Sequence, residues 1–312
     1  MKELSEIDVI IPVAGKGTRL YPHTEHYQKC LLPVGGKPIL GHIIDRLKGL
    51  NINKIKLITG HHEVQVNRYV ENIDQYNFQC VKQDHQLGLA HAIGLALDKS
   101  EKPALILLGD SIFNMDFISF CNNNISNIGV YEVDNPERYG IIELEEKKIT
   151  KFIEKPKNPK SNLAQLGVYF ISSQKILLDS INYIINNKIM RKNEYQLPDA
   201  FQHMLDKGSA FDFTMIDNYM DCGIVETMLI ANKKILMGDQ LSYISESSTV
   251  VNSNIKYCSI SNGCSIENSD LNNVIVLENT IVKNRKISNA IIGSYSNEIK
   301  ENDTNFEERN VY

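Results

Sequence analysis

Short apolar runs alternate with helix-like stretches through the first half of the chain, and this alternation limits the fold more than any other feature. Runs rich in Ile, Val and Leu end in loop residues at 7–13, 54–60 and 103–110. Between them, residues 39–50 and 89–100 carry apolar side chains three and four positions apart, as helices with one buried face do. Continuous apolar strands suit a sheet that is covered on both faces. The order strand, helix, strand therefore predicts a mostly parallel sheet flanked by helices.

A different pattern begins near residue 245. Aliphatic residues recur there every five or six positions, with Asn, Ser and Gly between them, at Val250, Ile255, Ile260, Ile266, Leu271, Val276, Ile281, Ile287 and Ile292. This period is too long for one strand and wrong for a helix, but it fits a short β-solenoid whose coils stack their aliphatic residues. A polar tail with incidental aliphatic residues is the alternative. The predicted fold is therefore α/β, Rossmann-like, with a short C-terminal β-solenoid.

Composition excludes several classes of protein. The chain of 312 residues is 42% hydrophobic and 23% charged, as globular proteins are. Its net charge of −5 offers no general basic field for a nucleic-acid polymer, so an anionic ligand needs a local cluster of cations. Its six cysteines include no C-x-x-C pair and are expected to be reduced thiols. The N-terminus does not resemble a signal peptide and no run approaches 18 apolar residues, so we expect a cytoplasmic protein with no membrane partner.

A glycine-rich loop, Gly15 to Arg19, follows the first apolar run. It is neither a Walker A loop, because Ile10 stands where the first glycine is required, nor G-x-G-x-x-G, because Leu20 occupies the third glycine position. Such a loop still presents backbone N–H groups to an anion. Arg19 adds a forked donor suited to phosphate and Lys29 a mobile ammonium. A tight turn with two solvated cations is the alternative.

Two aspartates are candidate metal ligands. Asp110 ends the apolar run 103–110, so its carboxylate is expected at the same sheet edge as the glycine-rich loop, and Asp221 precedes a glycine and a helical stretch. Magnesium usually takes one or two carboxylates together with phosphate oxygens. Each aspartate alone is equally compatible with a helix N-cap. Their spacing in the sequence does not bring residues 110 and 221 together.

Several segments together resemble the sugar-1-phosphate nucleotidyltransferases. VAGKGTRLYPHT (13–24), QKCLLPV (28–34), GKPIL (36–40) and LLGDSIF (107–113) are similar to motifs of that family. The segments at 133–144, 152–172 and 193–205 resemble those of glucose-1-phosphate thymidylyltransferases in the same order, and MDCG (220–223) fills the place of the second metal-binding Asp-x-Gly. The resemblance covers roughly residues 7–236. The C-terminal pattern resembles the truncated left-handed β-helix of the longer members.

The resemblance implies a reaction and a set of roles. A nucleotidyl group would pass from a pyrimidine nucleoside triphosphate to a sugar 1-phosphate, with Mg²⁺ as cofactor and pyrophosphate as the second product. Arg19 and Lys29 would neutralise phosphate charge as catalytic residues. The other implied site residues are Ala14, Gly15, Gly17 and Thr18 for the nucleotide, Gln83 and Gly88 for the pyrimidine, Gly140, Glu154 and Lys155 for the sugar phosphate, and Asp110 and Asp221 for the metal.

Departures from the family pattern leave the substrates open. Ala14 and Lys16 replace smaller residues, Ser111 replaces an asparagine that often contacts the sugar, and Cys222 and Ile224 replace threonines. The PVAG opening is closer to bacterial glucose-1-phosphate uridylyltransferases. We therefore expect dTTP and glucose 1-phosphate as substrates, with UTP as the alternative triphosphate. A non-catalytic sugar-nucleotide sensor or subunit is the alternative function.

The implied organisation has three parts. Residues 1–240 would form the catalytic domain, 241–300 the left-handed β-helix-like domain, and 301–312 a flexible tail. No implied site residue lies after residue 240, so we expect the C-terminal domain to serve assembly or regulation. A homo-oligomer is the expected assembly.

Overall fold

A computed structural model describes residues 6–216, 218–238 and 241–293. Within these ranges the α-helices are α1 (His23–His26), α2 (Ile39–Arg46), α3 (Glu63–Val70), α4 (Leu89–Ala96), α5 (Phe117–Cys121), α6 (Gln174–Asn186), α7 (Leu197–Asp206) and α8 (Val225–Gly238). None of these helices combines the length and the apolar character that crossing a bilayer requires.

The strands of the same residues fall into an N-terminal and a C-terminal series. The first comprises β1 (Ile7–Pro12), β2 (Pro33–Val34), β3 (Lys37–Pro38), β4 (Ile52–Thr59), β5 (Phe78–Lys82), β6 (Ala104–Leu107), β7 (Ser111–Phe113), β8 (Ser126–Glu132), β9 (Gly140–Glu145), β10 (Lys148–Glu154), β11 (Leu163–Ile171), β12 (Phe211–Met215) and β13 (Tyr219–Asp221). The second comprises β14 (Tyr243–Ile244), β15 (Thr249–Val251), β16 (Asn254–Lys256), β17 (Ser259–Ile260), β18 (Ser265–Glu267), β19 (Asp270–Val276), β20 (Ile281–Lys283) and β21 (Lys286–Ile292).

The chain divides into two units, each built from separated segments. The first unit contains the described residues up to Gly15 together with Asp45–Gly109 and Phe113–Tyr219. The second contains Lys16–Ile44, Asp110–Ile112 and the described residues from Met220 onwards.

A nine-stranded sheet forms the first unit. Its order is β10-β9-β11-β6-β1-β4-β5, with β8 paired to β11 and β12 paired to β8. Strands β6, β1, β4 and β5 are parallel, and the side chains of Val9, Ile10 and Ile11 in β1 are fully buried. The α/β prediction of a mostly parallel sheet flanked by helices is confirmed in this part. Strand β11 adds antiparallel pairing to β6, β8 and β9, which the alternation of elements did not predict.

The two helices predicted in this region are present but shorter. Helix α2 ends at Arg46 rather than near residue 50, and α4 ends at Ala96 rather than near residue 100. Beyond α2, Gly49 has a φ of 94°, a left-handed conformation that breaks helical geometry. Beyond α4, Leu97 is extended although it is apolar and buried. The apolar spacing therefore continued past the point where the backbone left the helix.

Helices α4, α6 and α7 pack together in the first unit and bury much of its core. Aromatic rings fill the space between α7 and the sheet. The ring of Phe152 lies 5.5 Å from that of Phe201 and 4.9 Å from that of Phe211, and Tyr169 lies 5.2 Å from Phe201, measured between centroids. This rigid layer supports β10, whose last residue is Glu154.

The C-terminal strands of the second unit are parallel and repeat with a constant offset. Tyr243 pairs with Ser259, Thr249 with Ser265 and Asn254 with Asp270, and the members of each pair are 16 residues apart (259 − 243, 265 − 249, 270 − 254). The same offset continues along β17–β19, β18–β20 and β19–β21. Three aliphatic stacks result, namely Val250–Ile266–Val282, Ile255–Leu271–Ile287 and Ile260–Val276–Ile292. The predicted aliphatic stacking is observed for every member but one.

Ile281 is the exception. It was expected in a buried stack, but its side chain is 54% exposed, and its neighbour Val282 is 5% exposed and occupies the buried position. Pairing of Ile266 with Val282 sets this register, and because successive side chains of a strand point to opposite faces, Ile281 must face outward. A period of five or six residues does not distinguish Ile281 from Val282 as the buried residue. The predicted tail, 301–312, lies outside the described residues.

A buried ion pair lies beneath the parallel part of the sheet. Lys56 Nζ lies 3.1 Å from Asp8 Oδ2 and 2.7 Å from Asp98 Oδ2, and it donates to the carbonyl of Ala96. Asp8 also accepts hydrogen bonds from Asn53 and from Gln174. Burial alone would raise the pKa of Asp8, but the bonds from Asn53, Gln174 and Lys56 outweigh it and hold that pKa below its ordinary value of 3.8. This stabilisation is therefore present at neutral pH and is lost as the pH falls through the lowered native pKa.

Replacing Lys56 with methionine tests how much this ion pair contributes to stability. Lys56→Met leaves the carboxylate of Asp8 buried without its cation, and we expect the free energy of unfolding to fall by about 3–5 kcal/mol. Lys175→Met is the matched control because Lys175 makes an exposed pair with Asp179 on α6, and its loss is expected to cost at most about 0.5 kcal/mol. Urea unfolding at pH 7 measures both. Equal losses in the two variants would contradict the assignment.

Candidate functional site

A lysine and an aspartate form the centre of the site in the second unit. Lys29 Nζ donates to Asp110 Oδ2 at 2.6 Å, and the side chains are 12% and 34% exposed, respectively. Lys29 begins a single 3-10 turn that ends at Leu31, with Cys30 buried inside it. Strand β7 begins at Ser111, directly after Asp110, so the N-cap alternative for Asp110 is excluded. The pair remains accessible to a ligand while its backbone is held in place.

The neighbours of Asp110 keep its carboxylate ionised. Burial raises its pKa, but the charge and hydrogen bond of Lys29, the charge of Arg19 and the hydroxyl of Ser111 outweigh burial, and the pKa lies below the ordinary aspartate value. Ser111 Oγ is 3.4 Å from Asp110 Oδ1. Asp110 is therefore negatively charged at neutral pH, as a metal ligand must be.

Asp221 lies close to Asp110 along the backbone pairing of the second unit. The N–H of Cys222, which follows Asp221, donates to the carbonyl of Asp110 at 3.0 Å. Asp221 Oδ1 accepts from the N–H of Gly223 at 2.9 Å, and Oδ2 accepts from Thr227 Oγ1 at 3.0 Å. These bonds orient the carboxylate in a turn before α8. Residues 110 and 221, which sequence spacing could not connect, are thus brought together by the fold.

Arg19 completes this group. A Cβ placed on Gly223 would lie 2.8 Å from Asp221 Oδ1 and 3.3 Å from Arg19 Nη2, so glycine here leaves room for both charged groups. The structure therefore gathers two cations, Arg19 and Lys29, and two carboxylates, Asp110 and Asp221, within one unit. The four come from three separated segments of the chain, because Arg19 and Lys29 share the segment Lys16–Ile44.

The two carboxylates suit a hard cation that shares its ligands with phosphate. Magnesium prefers oxygen donors and usually binds one or two carboxylates, with the remaining positions filled by water and substrate phosphates. Among the described residues, no three His, Cys, Asp or Glu side chains form a group able to enclose a metal by themselves. Asp110 and Asp221 would therefore hold Mg²⁺ jointly with a bound phosphate group.

Gly17 shapes the glycine-rich loop. Its φ is 66°, and a Cβ at this position would lie 2.7 Å from Thr24 Cγ2 and 3.2 Å from Lys29 Cβ. Thr24 Oγ1 donates to the carbonyl of Gly17 at 2.8 Å, and Thr18 begins the 3-10 turn that carries Arg19. Both the backbone conformation and the lack of space therefore require glycine here. By contrast, a Cβ at Gly15 would meet open space.

The predicted pyrimidine-reading residues lie in the first unit, between β5 and α4. Gln83 is buried and its N–H donates to the carbonyl of Thr59 at 2.8 Å. Gly88 has a φ of 107°, and a Cβ there would lie 2.5 Å from the carbonyl oxygen of Tyr195. The N–H of Tyr195 donates to the carbonyl of Leu87 at 2.8 Å. Gly88 is thus required by the close approach of a neighbouring loop.

Gln86, between these two residues, was not identified from the sequence. Its Nε2 donates to the carbonyl of Ala14 at 3.1 Å, which connects the loop of Gln83 and Gly88 to the end of the segment that follows β1 in the first unit. A Cβ on Gly60 would lie 3.1 Å from the same carbonyl oxygen. No sequence signal separates Gln86 from an ordinary polar loop residue, because the contact depends on tertiary structure.

The predicted sugar-phosphate residues also meet in the first unit. Glu154 pairs with Gly140 across β10 and β9, and a Cβ on Gly140 would lie 2.9 Å from Glu154 Oε2. Lys155 Nζ lies 3.0 Å from Glu154 Oε1, and Lys155 has a left-handed φ of 42°. The carboxylate and the ammonium are therefore adjacent, as binding of both hydroxyls and phosphate requires.

Arg191 is a further cation that the sequence analysis missed. Its guanidinium forms a two-pronged hydrogen bond with Asp199, at 2.9–3.1 Å. This bond is the main reason that the pKa of Arg191 is raised, and the charge of Glu154 adds to it. Arg191 thus lies within electrostatic range of Glu154.

The cysteines next to the site are not set up as nucleophiles. Burial raises the pKa of Cys30 to about 12, and burial followed by the charge of Asp221 also raises that of Cys222. A thiol must be deprotonated to attack. Neither Cys30 nor Cys222 is therefore activated to attack, whereas the charged groups of the arrangement can neutralise phosphates.

Comparison with known proteins gives consistent results. The model of the nucleotidyl transferase family matches residues 8–238. Bifunctional protein GlmU of Methanococcus vannielii is 31% identical over 237 residues, which cover 74% of this chain and 55% of that protein. The UTP–glucose-1-phosphate uridylyltransferase AglF of Haloferax volcanii is 30% identical over 230 residues, 70% of this chain and 93% of that protein. The chain thus spans about half the length of GlmU.

Solved structures show the same fold. A Bacillus anthracis protein assigned as a glucose-1-phosphate thymidylyltransferase, in complex with sucrose, has a TM-score of 0.64 and 28% identity over 73% of this chain and 95% of that one. A UDP-glucose pyrophosphorylase in complex with UDP-glucose has a TM-score of 0.65 at 22% identity, over 75% and 99% of the two chains, and shows likeness of fold alone. The chain belongs to the nucleotidyl transferase family, and within it to the sugar-1-phosphate nucleotidyltransferases.

Proposed function

We propose that this protein transfers a nucleotidyl group from a pyrimidine nucleoside triphosphate to glucose 1-phosphate, forming a nucleotide sugar and pyrophosphate. The observation that carries the proposal is the group of Arg19, Lys29, Asp110 and Asp221 in the second unit, centred on the 2.6 Å contact of Lys29 with Asp110. Two cations beside two oriented carboxylates suit a triphosphate bound with a divalent cation. A sensor that only binds nucleotide sugars has no need of both metal ligands.

The reaction needs no nucleophile from the protein. A phosphate oxygen of the sugar 1-phosphate attacks the α-phosphorus, a new P–O bond forms, and the bond to the β-phosphate breaks to release pyrophosphate. Arg19 and Lys29 reduce the repulsion between the two anionic substrates and stabilise charge on the α-phosphate. When bound, Mg²⁺ offsets charge on the phosphates and on the leaving group. Asp110 and Asp221 would hold that ion, and Lys29 keeps Asp110 ionised until the phosphates arrive.

Glu154 and Lys155 are the proposed sugar-phosphate residues. The carboxylate of Glu154 accepts hydrogen bonds from sugar hydroxyls, and the ammonium of Lys155 binds the phosphate. Gly140 supports this assignment, because any side chain there would press on Glu154 Oε2. Arg191, held by Asp199, adds positive charge near the same group.

Gln83 and Gly88 are the proposed pyrimidine-reading residues. The amide of Gln83 can pair with the N3–H and a carbonyl of thymine or uracil, but it mismatches cytosine. Thymine and uracil present the same edge and differ by one methyl group, whose burial is worth roughly 0.8 kcal/mol. The thymidylyltransferase-like segments after residue 133 favour dTTP, and the PVAG opening favours UTP. A uridylyltransferase is therefore the second candidate, and the likeness to AglF supports it.

Initial rates of pyrophosphate release with five triphosphates test this function. With glucose 1-phosphate and Mg²⁺, we expect activity with dTTP and UTP, a preference for dTTP of about fourfold, and little activity with CTP, ATP or GTP. A preference for CTP or a purine triphosphate would refute the role of Gln83. Activity with UTP alone would contradict the expected preference for dTTP and favour the uridylyltransferase. Binding of nucleotide sugar without any pyrophosphate release would favour the sensor.

The metal ligands are tested by removing one charge at a time. Asp110→Asn and Asp221→Asn keep the side-chain volume, and each is expected to lower turnover in Mg²⁺ by at least about a hundredfold with little change in thermal unfolding. Asp179→Asn, on the exposed face of α6, is the matched control and should retain full activity. Near-normal turnover by either site variant would remove that residue from the metal site.

For the C-terminal strands we propose a left-handed β-solenoid over residues 241–293, the described part of the predicted domain 241–300. It would follow the predicted catalytic domain, 1–240, and serve assembly of a homo-oligomer. The constant offset of 16 residues supports a coil of three sides. Left-handed backbone recurs at the same offset, at Asn252, Asn268 and Asn284, with φ of 49°, 47° and 54°. Asparagine tolerates this conformation better than other residues with a Cβ.

Substitution of Asn268 tests the corner of the coil. Asn268→Gly should unfold at close to the wild-type temperature, because glycine adopts positive φ without strain. Asn268→Val places a β-branched residue at a φ of 47° and should cost about 1–2 kcal/mol, seen as a melting temperature lower by a few degrees. Circular dichroism during heating measures both. Equal melting temperatures would contradict the proposed corner.

A further inference from the structure

Asn232, a fully buried residue in the middle of α8, connects two distant parts of the second unit. Its Oδ1 accepts from the N–H of Gly35 at 2.9 Å and from Ser259 Oγ at 2.6 Å. Its Nδ2 donates to the carbonyl of Tyr257 at 3.1 Å. Both the oxygen and the nitrogen of the side-chain amide are thus hydrogen-bonded. A buried polar group with these partners is costly to displace. Asn232 therefore holds Gly35 at a set distance from β17.

Gly35 belongs to the segment that carries Lys29. It lies six residues after Lys29, in the turn between β2 and β3, where Gly35 and Gly36 both have positive φ. Leu32 and Val34, between Lys29 and the turn, are fully buried, and the carbonyl of Leu32 accepts from the N–H of Ile39. Two side chains between Lys29 and the hairpin are therefore anchored in the core, so we expect a shift of the hairpin to displace the lysine.

The C-terminal strands contact this segment at one more place. A Cβ on Gly36 would overlap the ring of Tyr243 in β14, so the turn lies against that ring. On the other side of Lys29 in the sequence, burial followed by the charge of Glu278, between β19 and β20, raises the pKa of Tyr27. The direct contact of the C-terminal strands with the segment of Lys29, beside the bonds of Asn232, is therefore that of Tyr243 with the turn.

We propose that the C-terminal strands position Lys29 for the triphosphate, through Ser259, Asn232 and the hairpin of Gly35. The inference rests on the proposed function of Lys29 and assigns Asn232 and Ser259 as positioning residues. It gives the C-terminal strands a part in the reaction although they contribute no group to the substrates. Helix α8 also begins directly after the turn of Asp221, so one helix supports both the metal ligand and the lysine.

Two buried serines of the C-terminal strands allow a matched test. Ser259→Ala removes the hydroxyl that donates to Asn232. Ser269→Ala is the control, because the hydroxyl of Ser269 donates to the carbonyl of Glu267 and accepts from the N–H of Arg285, both within the C-terminal part of the chain. Hydrogen exchange of residues 30–38 and steady-state kinetics are measured for both. For Ser259→Ala we expect the rate of hydrogen exchange in residues 30–38 to rise roughly three- to tenfold. The KM for the triphosphate should rise by a similar factor, with the KM for the sugar phosphate unchanged. Ser269→Ala should change neither.

Tyr243→Ala provides a second variant that acts through a separate contact. Tyr243 is partly exposed, so the variant is expected to fold, and it should also increase exchange in residues 30–38 and the KM for the triphosphate. The proposal is overturned if Ser259→Ala matches Ser269→Ala in either measurement, or if exchange rises without a kinetic change. A wild-type protein that releases no pyrophosphate would refute the proposed function instead, and the exchange comparison would still decide whether the strands hold the hairpin.

Discussion

The contact between Lys29 and Asp110 joins the chemical and the structural requirements of the second unit. Each charge stabilises the other before substrates bind, and the lysine keeps the carboxylate ionised despite its burial. In the proposed function, Asp110 must be charged to bind a metal, and Lys29 must be free to change its partner when phosphate arrives. The buried side chains of Cys30 and Leu32 anchor the segment of Lys29, and the bond from the N–H of Cys222 to the carbonyl of Asp110 fixes the backbone of its partner.

A second ion pair in the same protein shows why exposure decides the role of such a contact. Lys56 and Asp8 have side chains that are 3% and 1% exposed, whereas those of Lys29 and Asp110 are 12% and 34% exposed. A pair sealed inside the sheet cannot exchange its partner for a ligand, and removing one member leaves an uncompensated charge. The more exposed pair can admit a phosphate or a cation. The same kind of ion pair therefore supports the fold at Lys56 and Asp8, and at Lys29 and Asp110 it is the proposed binding group.

The sequence predicted local structure better than it predicted tertiary contacts. Alternating apolar segments were sufficient to predict β1, β4, β6, α2 and α4, because burial on one or both faces produces a regular spacing of apolar residues. The five-to-six-residue period located the C-terminal strands but assigned Ile281 to the buried side, since only strand pairing fixes the register. The approach of Asp110 to Cys222, the bond of Gln86 to Ala14 and the bonds of Asn232 depend on segments far apart in the chain. No local pattern records such contacts, so they could be found only in the structure.

Catalysis of the reaction and choice of the base depend on interactions of very different strength. Bringing two polyanions together requires several fixed charges, and their removal changes rates by orders of magnitude. Discrimination between thymine and uracil depends on one methyl group, worth roughly 0.8 kcal/mol, and on the ribose 2′-hydroxyl. The first demand leaves a signature of charged residues and glycines that sequence motifs and fold both retain. In the proposed function, the second falls to the loop around Gln83 and Gly88. Relatives assigned to dTTP chemistry and to UTP chemistry can therefore share this fold, and likeness of fold supports the reaction more strongly than the base.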